Sequence, residues 1–332
     1  MKPTIAITIG DFNGIGPEVA LRAASDAGIR KICAPVLVGP LDIFRQAVPL
    51  IRKTLVLNKT TLPPRAGTTL GIVDVGDGIA ADITHGTPTK TSGRSAGLAI
   101  ERAVELCVNG KADAMVTAPA SKEALHLAGY NFPGQTEMVT LFSRSQKVVM
   151  MLVSKVLRVG LVTVHTPLAS VPGQINKDKI LEKLQLMHDT LLRDFRVKKP
   201  KIAVLGLNPH AGEHGHIGTE ETACIIPSID AAVAAGIACE GPFPADAFFG
   251  TKRYQAFDAI LAMYHDQGLI PLKLLSFGRA VNVSAGLPII RTSPDHGTAY
   301  DIAGRGIAKP ASMIEAIRLA VSMVRARSGA RS

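Results

Sequence analysis

The sequence predicts an α/β protein built on a mostly parallel sheet, and three observations point there. Short apolar runs alternate along the chain with longer stretches whose apolar residues recur at helical spacing. Such alternation is what crossover helices covering both faces of a parallel sheet produce. A length of 332 residues suits one large or two medium α/β domains, and a composition 47% hydrophobic and 19% charged is too apolar for a disordered chain.

In chain order, residues 4–9 read as a strand ending in the glycine-rich turn 10–14. Gly16, Pro17 and Glu18 then open a helix, because proline suits the first helical position and an acid suits the positive end of the helix dipole. Residues 36–39 and 71–75 are the next strands, 95–109 a helix, and 114–117 a buried strand. Further strands are expected at 148–153, 158–163, 202–205 and 259–262. Helices are expected at 181–195, 219–235 and 311–325. No internal repeat or low-complexity tract occurs, and the small, basic tail 325–332 is expected to fray. Domain boundaries are weakly marked, and crossings between two lobes are expected at 129–135 and 286–292. This makes residues 1–130 with 290–332 one α/β lobe and 131–289 the other.

Composition removes several function classes. The net charge is +10, but Lys and Arg are scattered, with modest clusters at Lys198, Lys199 and Lys201 and at Arg325, Arg327 and Arg331. Nucleic-acid binders concentrate such charge in a stripe, and aromatics at 4% with no tryptophan give little surface for base stacking. An electropositive cleft for phosphorylated or carboxylated small molecules is the better use of the charge. Cys33, Cys107, Cys224 and Cys239 form no CxxC pair, and Cys33, Cys107 and Cys224 read as small buried hydrophobes. No signal-peptide core and no membrane-length apolar run is present, so a soluble, cytoplasmic protein is expected. The turn from Gly10 to Gly16 matches neither the GxGxxG dinucleotide fingerprint nor a Walker loop.

Chemistry-bearing residues concentrate in segment 257–308. It sets His265, Asp266, Lys273, Asn282, Arg291, Asp295, His296 and Asp301 in glycine-rich turns beside strand-like runs, which points to an enzyme. His165, His210 and His265 each follow an expected strand. Parallel strands deliver such residues to a common edge, where three imidazoles would suit a borderline divalent ion; otherwise they are three unrelated loop histidines. His214 and His216 read as exposed neighbours, and His85, His126 and His188 as surface or capping residues. Lys273 and Arg291 are candidate anion ligands or simple salt-bridge partners. Asn282 awaits a substrate hydroxyl or makes a turn bond. In the stretch 295–306, Gly297 allows close backbone approach to a ligand, and Asp301 either accepts from ribose hydroxyls or caps a helix. Thr117 and Ser121 are either functional or caps of the following helix.

The stretches ITIGDFNGIGPE, TAPASKEALHLAGYNFPGQTE, GLNPHAGEHGHIG, GPFPAD and AMYHDQGLIPLKLLSFGRAVNVSAGLPIIRTSPDHGTAYDIAG carry a resemblance. Together, and in this order, they resemble the 4-hydroxythreonine-4-phosphate dehydrogenase family of pyridoxal phosphate biosynthesis. HGTAYDIAGRGIAKP is also similar to the nucleotide loop of isocitrate and isopropylmalate dehydrogenases. The resemblance implies a two-lobed α/β/α fold of that superfamily, with the active site in the interlobe cleft at a homodimer interface. It implies NAD or NADP, and one divalent ion (zinc, magnesium or cobalt) on His165, His210 and His265, with His165 donated by the partner subunit. It places Lys273, Asn282, Arg291, Thr136 and the preceding Gln135 at the substrate, and Asp295, His296, Gly297 and Asp301 at the cofactor. Lys273 would also move a proton, with Asp246 and Asp266 orienting metal ligands.

One departure stands out. Gln135 occupies a position that is usually histidine in the family's GHTE, and an amide cannot become cationic. Relatives acting on 4-phospho-D-threonate, 4-phospho-D-erythronate or cyclic dihydrodiols therefore stay open as alternatives. A non-redox acyl- or phosphotransferase of the same broad fold stays open as a remote one.

Overall fold

A computed structural model describes residues 2–60, 69–77, 79, 82–276 and 279–329. The last residues of the basic tail lie outside that set. Among the described residues, twelve strands follow in chain order. They are β1 (Thr4–Thr8), β2 (Ala34–Val38), β3 (Leu57–Lys59), β4 (Leu70–Val73), β5 (Ala114–Val116) and β6 (Val149–Val153). Then come β7 (Arg158–Leu161), β8 (Lys201–Leu205), β9 (Ala238–Phe243), β10 (Ala259–Ala262), β11 (Val281–Ala285) and β12 (Arg291–Pro294). The fold is mixed α/β, and the chain divides into two compact units, Met1–Gln146 with Leu287–Arg325 and Lys147–Gly286 with Ala326–Ser332.

In the first unit the strand order is β3-β4-β2-β1-β5-β12, all parallel. Ile5, Ile7, Val36, Leu37, Ile72 and Val116 are fully buried, as expected where helices cover both faces of a parallel sheet. Each such side chain contributes about 1.5–3 kcal/mol of burial. The helix Gly16–Ala24 begins with proline in its first turn, and Lys90–Val108 begins with a reciprocal capping box between Thr89 and Ser92.

In the second unit the order is β11-β6-β7-β10-β8-β9. Here the expectation of parallel pairing gives way locally, because β6 runs antiparallel to both β11 and β7. Ser154 makes the reversal, its hydroxyl accepting from the backbone N–H groups of Val156 and Leu157. A short hairpin of this kind can only join antiparallel strands. The core packs Leu152, Leu161, Leu205, Ile260, Leu269 and Leu272 around Phe248.

The expectation of turns also gives way at His265, Asp266 and Lys273. They lie on a helix, His265–Ser276, rather than in turns. Gly268 and Pro271 are poor helix formers, but burial of Leu269 and Leu272 in the core outweighs their local cost. All four cysteines are free, and burial pushes the Cys33 thiol up to about 12. Among the described residues, no helix is long and apolar enough to cross a membrane.

Candidate active site

Among the described residues, the candidate site side chains fall into two groups, one in each unit. In the first unit, Arg291 opens β12 and is 2% exposed. Its Nη2 donates to Thr117 Oγ1 at 2.7 Å, and its Nη1 to Thr136 Oγ1 at 3.4 Å. Burial lowers the guanidinium pKa to about 10, against the opposing pull of the Glu137 charge, so it stays cationic at neutral pH. Gln135 and Thr136 begin the helix Gln135–Phe142, whose first N–H groups and positive dipole end add to the local field. The Gln135 Oε1 is buried and has no hydrogen-bond partner. A buried cation, hydroxyls and a helix start together suit a phosphate or carboxylate. Ser121 caps the helix Lys122–Leu127 by accepting from Ala124, whereas Thr117 serves Arg291.

The stretch 295–301 is held in the same unit by contacts that sequence reasoning missed. Tyr300 donates its hydroxyl hydrogen bond to Asp11 Oδ2 at 2.7 Å, and Ile15 N–H donates to the Thr298 carbonyl at 3.0 Å. Gly14 permits this approach, since a Cβ there would sit 2.7 Å from the Thr298 oxygen. Burial raises the Asp11 pKa, although Tyr300, Asn13 and Ser92 hydrogen bonds pull the other way. Asp301 is exposed in a 3₁₀ turn, Tyr300–Ile302, and does not open a longer helix. His296 is exposed, with Nδ1 3.1 Å from the Gly297 carbonyl; Asp295 is half-buried. Around Gly297 a side chain would meet open space, leaving room for a ligand against the backbone.

The second unit holds the histidines. His165 is exposed beyond β7, and His265 starts its helix just beyond β10. Their ring centroids lie 6.1 Å apart. Two imidazoles on one zinc ion at tetrahedral angles would sit about 5 Å apart by the usual Zn–N distance, so the observed spacing is about 1 Å wider than a shared ion requires. His265 Nδ1 lies 2.7 Å from Asp266 Oδ1, which leaves Nε2 as the outward nitrogen, the arrangement common for a metal-bound imidazole. His210 is exposed beyond β8, and no group of three His, Cys, Asp or Glu side chains is gathered for a metal among the described residues. The donor chemistry fits a divalent ion, and within the chain two of the three imidazoles are neighbours.

His210 sits in an unusual turn. His210, Ala211, Gly212, Glu213 and His214 all have positive φ, between 42° and 78°. The left-handed region costs a non-glycine residue about 1–2 kcal/mol, so this conformation must be held by its surroundings. His214 and His216 are exposed beside it. Asn282, on β11, has a buried Oδ1 without a partner. Lys273 is exposed and stands seven residues beyond Asp266, which puts both on one face of their helix. Asp246 is exposed in the first turn of the helix Ala245–Gly250.

Residues 31–320 match the family model described as pyridoxal phosphate biosynthetic protein PdxA. The chain belongs to this family. A 4-hydroxythreonine-4-phosphate dehydrogenase of Trichlorobacter lovleyi is 43% identical, with 98% of this chain and 99% of that protein covered. A D-threonate 4-phosphate dehydrogenase of Cupriavidus necator is 41% identical, with 98% of each covered. Among PdxA-family structures, the 4-hydroxythreonine-4-phosphate dehydrogenase of Klebsiella pneumoniae superposes with a TM-score of 0.88 at 37% identity, covering 98% of each chain. An isocitrate dehydrogenase of Methylococcus capsulatus shares the fold at a TM-score of 0.51 and 13% identity, covering 100% of this chain and 88% of that one. The broader fold expected from the nucleotide-loop stretch is thus seen. As a PdxA-family member the chain is an oxidoreductase.

Proposed function

We propose that this chain oxidises 4-phosphohydroxy-L-threonine at C3 with NAD or NADP, and that decarboxylation to 3-amino-2-oxopropyl phosphate follows, in pyridoxal 5'-phosphate biosynthesis. The observation that carries this reading is the buried Arg291 guanidinium, held by Thr117 and Thr136 at a helix start where an anionic substrate group fits. The name of the Trichlorobacter lovleyi relative supports the substrate.

A divalent ion (zinc, magnesium or cobalt) on His165, His210 and His265 would supply Lewis acidity at the reacting hydroxyl, and NAD the hydride acceptor. The chain's own residues do the rest. Arg291 and Thr136 bind and orient the phosphate or carboxylate. Asn282 Oδ1, buried and unpartnered, accepts from a substrate hydroxyl. Lys273 reaches from its exposed helix face to an anionic group and passes a proton. Asp266 fixes the His265 ring, and Asp246 lends a second carboxylate to the histidine set. Asp295, His296, Gly297 and Asp301 hold the nucleotide. The working unit in this reading is a homodimer with the site at its interface, His165 serving the partner's metal.

A second reading comes from Gln135. Its buried Oε1 awaits a donor, which a sugar-acid hydroxyl supplies as well as an ammonium group, and the Cupriavidus necator relative is named for D-threonate 4-phosphate. NADH formation by the metal-loaded protein separates the readings. It is followed with 4-phosphohydroxy-L-threonine, 4-phospho-D-threonate and 4-phospho-D-erythronate. Selectivity for the amino acid supports the first, and selectivity for a sugar acid the second. No NADH with any of them defeats both.

A further inference from the structure

The left-handed turn that carries His210 is built around one buried acid. Glu221 is 1% exposed. Its Oε1 accepts from the backbone N–H groups of Leu207 at 2.7 Å and Asn208 at 2.8 Å. Its Oε2 accepts from Asn208 Nδ2 at 2.9 Å, and the same amide nitrogen reaches Glu220 Oε2 at 2.7 Å. The carboxylate lies against the turn itself, because a Cβ on Gly212 would come within 2.6 Å of Oε2. The entry to the turn is also tied to the helix of His265. Gln267 Nε2 donates to the Gly206 carbonyl at 2.6 Å, while Gln267 Oε1 accepts from Met263 N–H at 2.7 Å.

We infer that Glu221 is a positioning residue for His210: it fixes the strained turn 206–218 so that this imidazole is presented for metal binding. The inference rests on the metal reading above. Two backbone donors in succession form an anion-binding concavity, and here a side chain of the protein fills it permanently. Four non-glycine residues held at positive φ would relax without such an anchor. The carboxylate does not reach the metal in this account; it acts through the backbone of the turn.

The test measures zinc affinity of the full-length protein by chelator competition for Glu221→Gln, His210→Ala and Asp194→Asn. The last disturbs a buried ion pair of the same unit remote in sequence from the turn, and so reports the effect of lost stability alone. The expected result is a zinc affinity about tenfold or more weaker in Glu221→Gln, a loss at least as large in His210→Ala, and an unchanged value in Asp194→Asn. Wild-type affinity in Glu221→Gln with loss in His210→Ala overturns the positioning role and leaves the metal reading standing. Wild-type affinity in His210→Ala overturns the metal reading itself. Equal losses in Glu221→Gln and Asp194→Asn reduce Glu221 to a stabilising residue and overturn the inference. If Glu221→Gln does not fold, Asn208→Ala decides. It keeps the backbone donors but removes the amide bridging the two carboxylates, and a severalfold weaker zinc affinity is then required.

Discussion

Arg291 Nη2 and Thr117 Oγ1 meet at 2.7 Å across 174 positions of sequence, at the paired strands β12 and β5. The hydroxyl fixes one arm of the guanidinium and so sets the direction in which the remaining donors point. Thr117→Val keeps the side-chain shape and deletes the acceptor. A buried charged donor that loses its partner costs about 1–3 kcal/mol. KM for the phosphorylated substrate should rise about 5- to 150-fold with KM for NAD unchanged, as read by steady-state kinetics.

His165 and His265 are neighbours within one chain, yet the proposed dimer has His165 serve the partner. Mixed dimers decide. If the site is shared, refolding His165→Ala with His265→Ala restores about a quarter of the wild-type sites, since one site of each hybrid is intact. If both histidines serve their own chain, every site stays damaged and no activity returns.

Asp266 holds the His265 ring through Nδ1. Asp266→Asn should weaken zinc binding about tenfold while leaving the melting temperature nearly unchanged, because the pair is solvent-exposed. Chelation should abolish NADH formation, and added zinc, magnesium or cobalt should restore it.

The Tyr300–Asp11 bond steadies the stretch 295–301. Tyr300→Phe should raise KM for NAD severalfold with little change in kcat. It also has a pH signature. The native Asp11 carboxyl keeps its proton above the ordinary value of 3.8 because it is buried, so stability falls as pH rises from 3.8 through the raised native value. Losing a hydrogen bond to the ionised form extends that decline to higher pH, which thermal melts across the acid range would show.

Asp194 behaves oppositely. Burial alone would raise its pKa, but Arg327 and Arg193, each making two hydrogen bonds to it, lower it below 3.8. Its contribution is therefore complete above 3.8 and is lost as pH falls through the lower native value. Asp194→Asn should cost about 1–3 kcal/mol, because the two guanidinium groups that lose their anion are themselves 42% and 20% exposed, measured by urea unfolding at neutral pH.

Strands that are continuous apolar runs were legible in the sequence, as β1, β2, β8 and β10 show. β9 (ACEGPF) and β12 (RTSP) were not, because their extended form comes from pairing with β8 and β5 rather than from apolar content. Arg291 was legible as a candidate cation, but not its burial. Glu221 and Asp11 gave no signal, since an acid inside a helical pattern or a glycine-rich turn reads as solvated until the fold encloses it.

The order of synthesis bears on how this enzyme is made. β12 completes the first unit's sheet, yet it is encoded after the whole of Lys147–Gly286. A nascent chain therefore displays β5 as an open parallel edge while those residues are translated, roughly 7–28 s at ribosomal speeds of about 5–20 residues per second. Open edges recruit other strands, so for this interval β5 presents a pairing template that β12 covers in the finished protein.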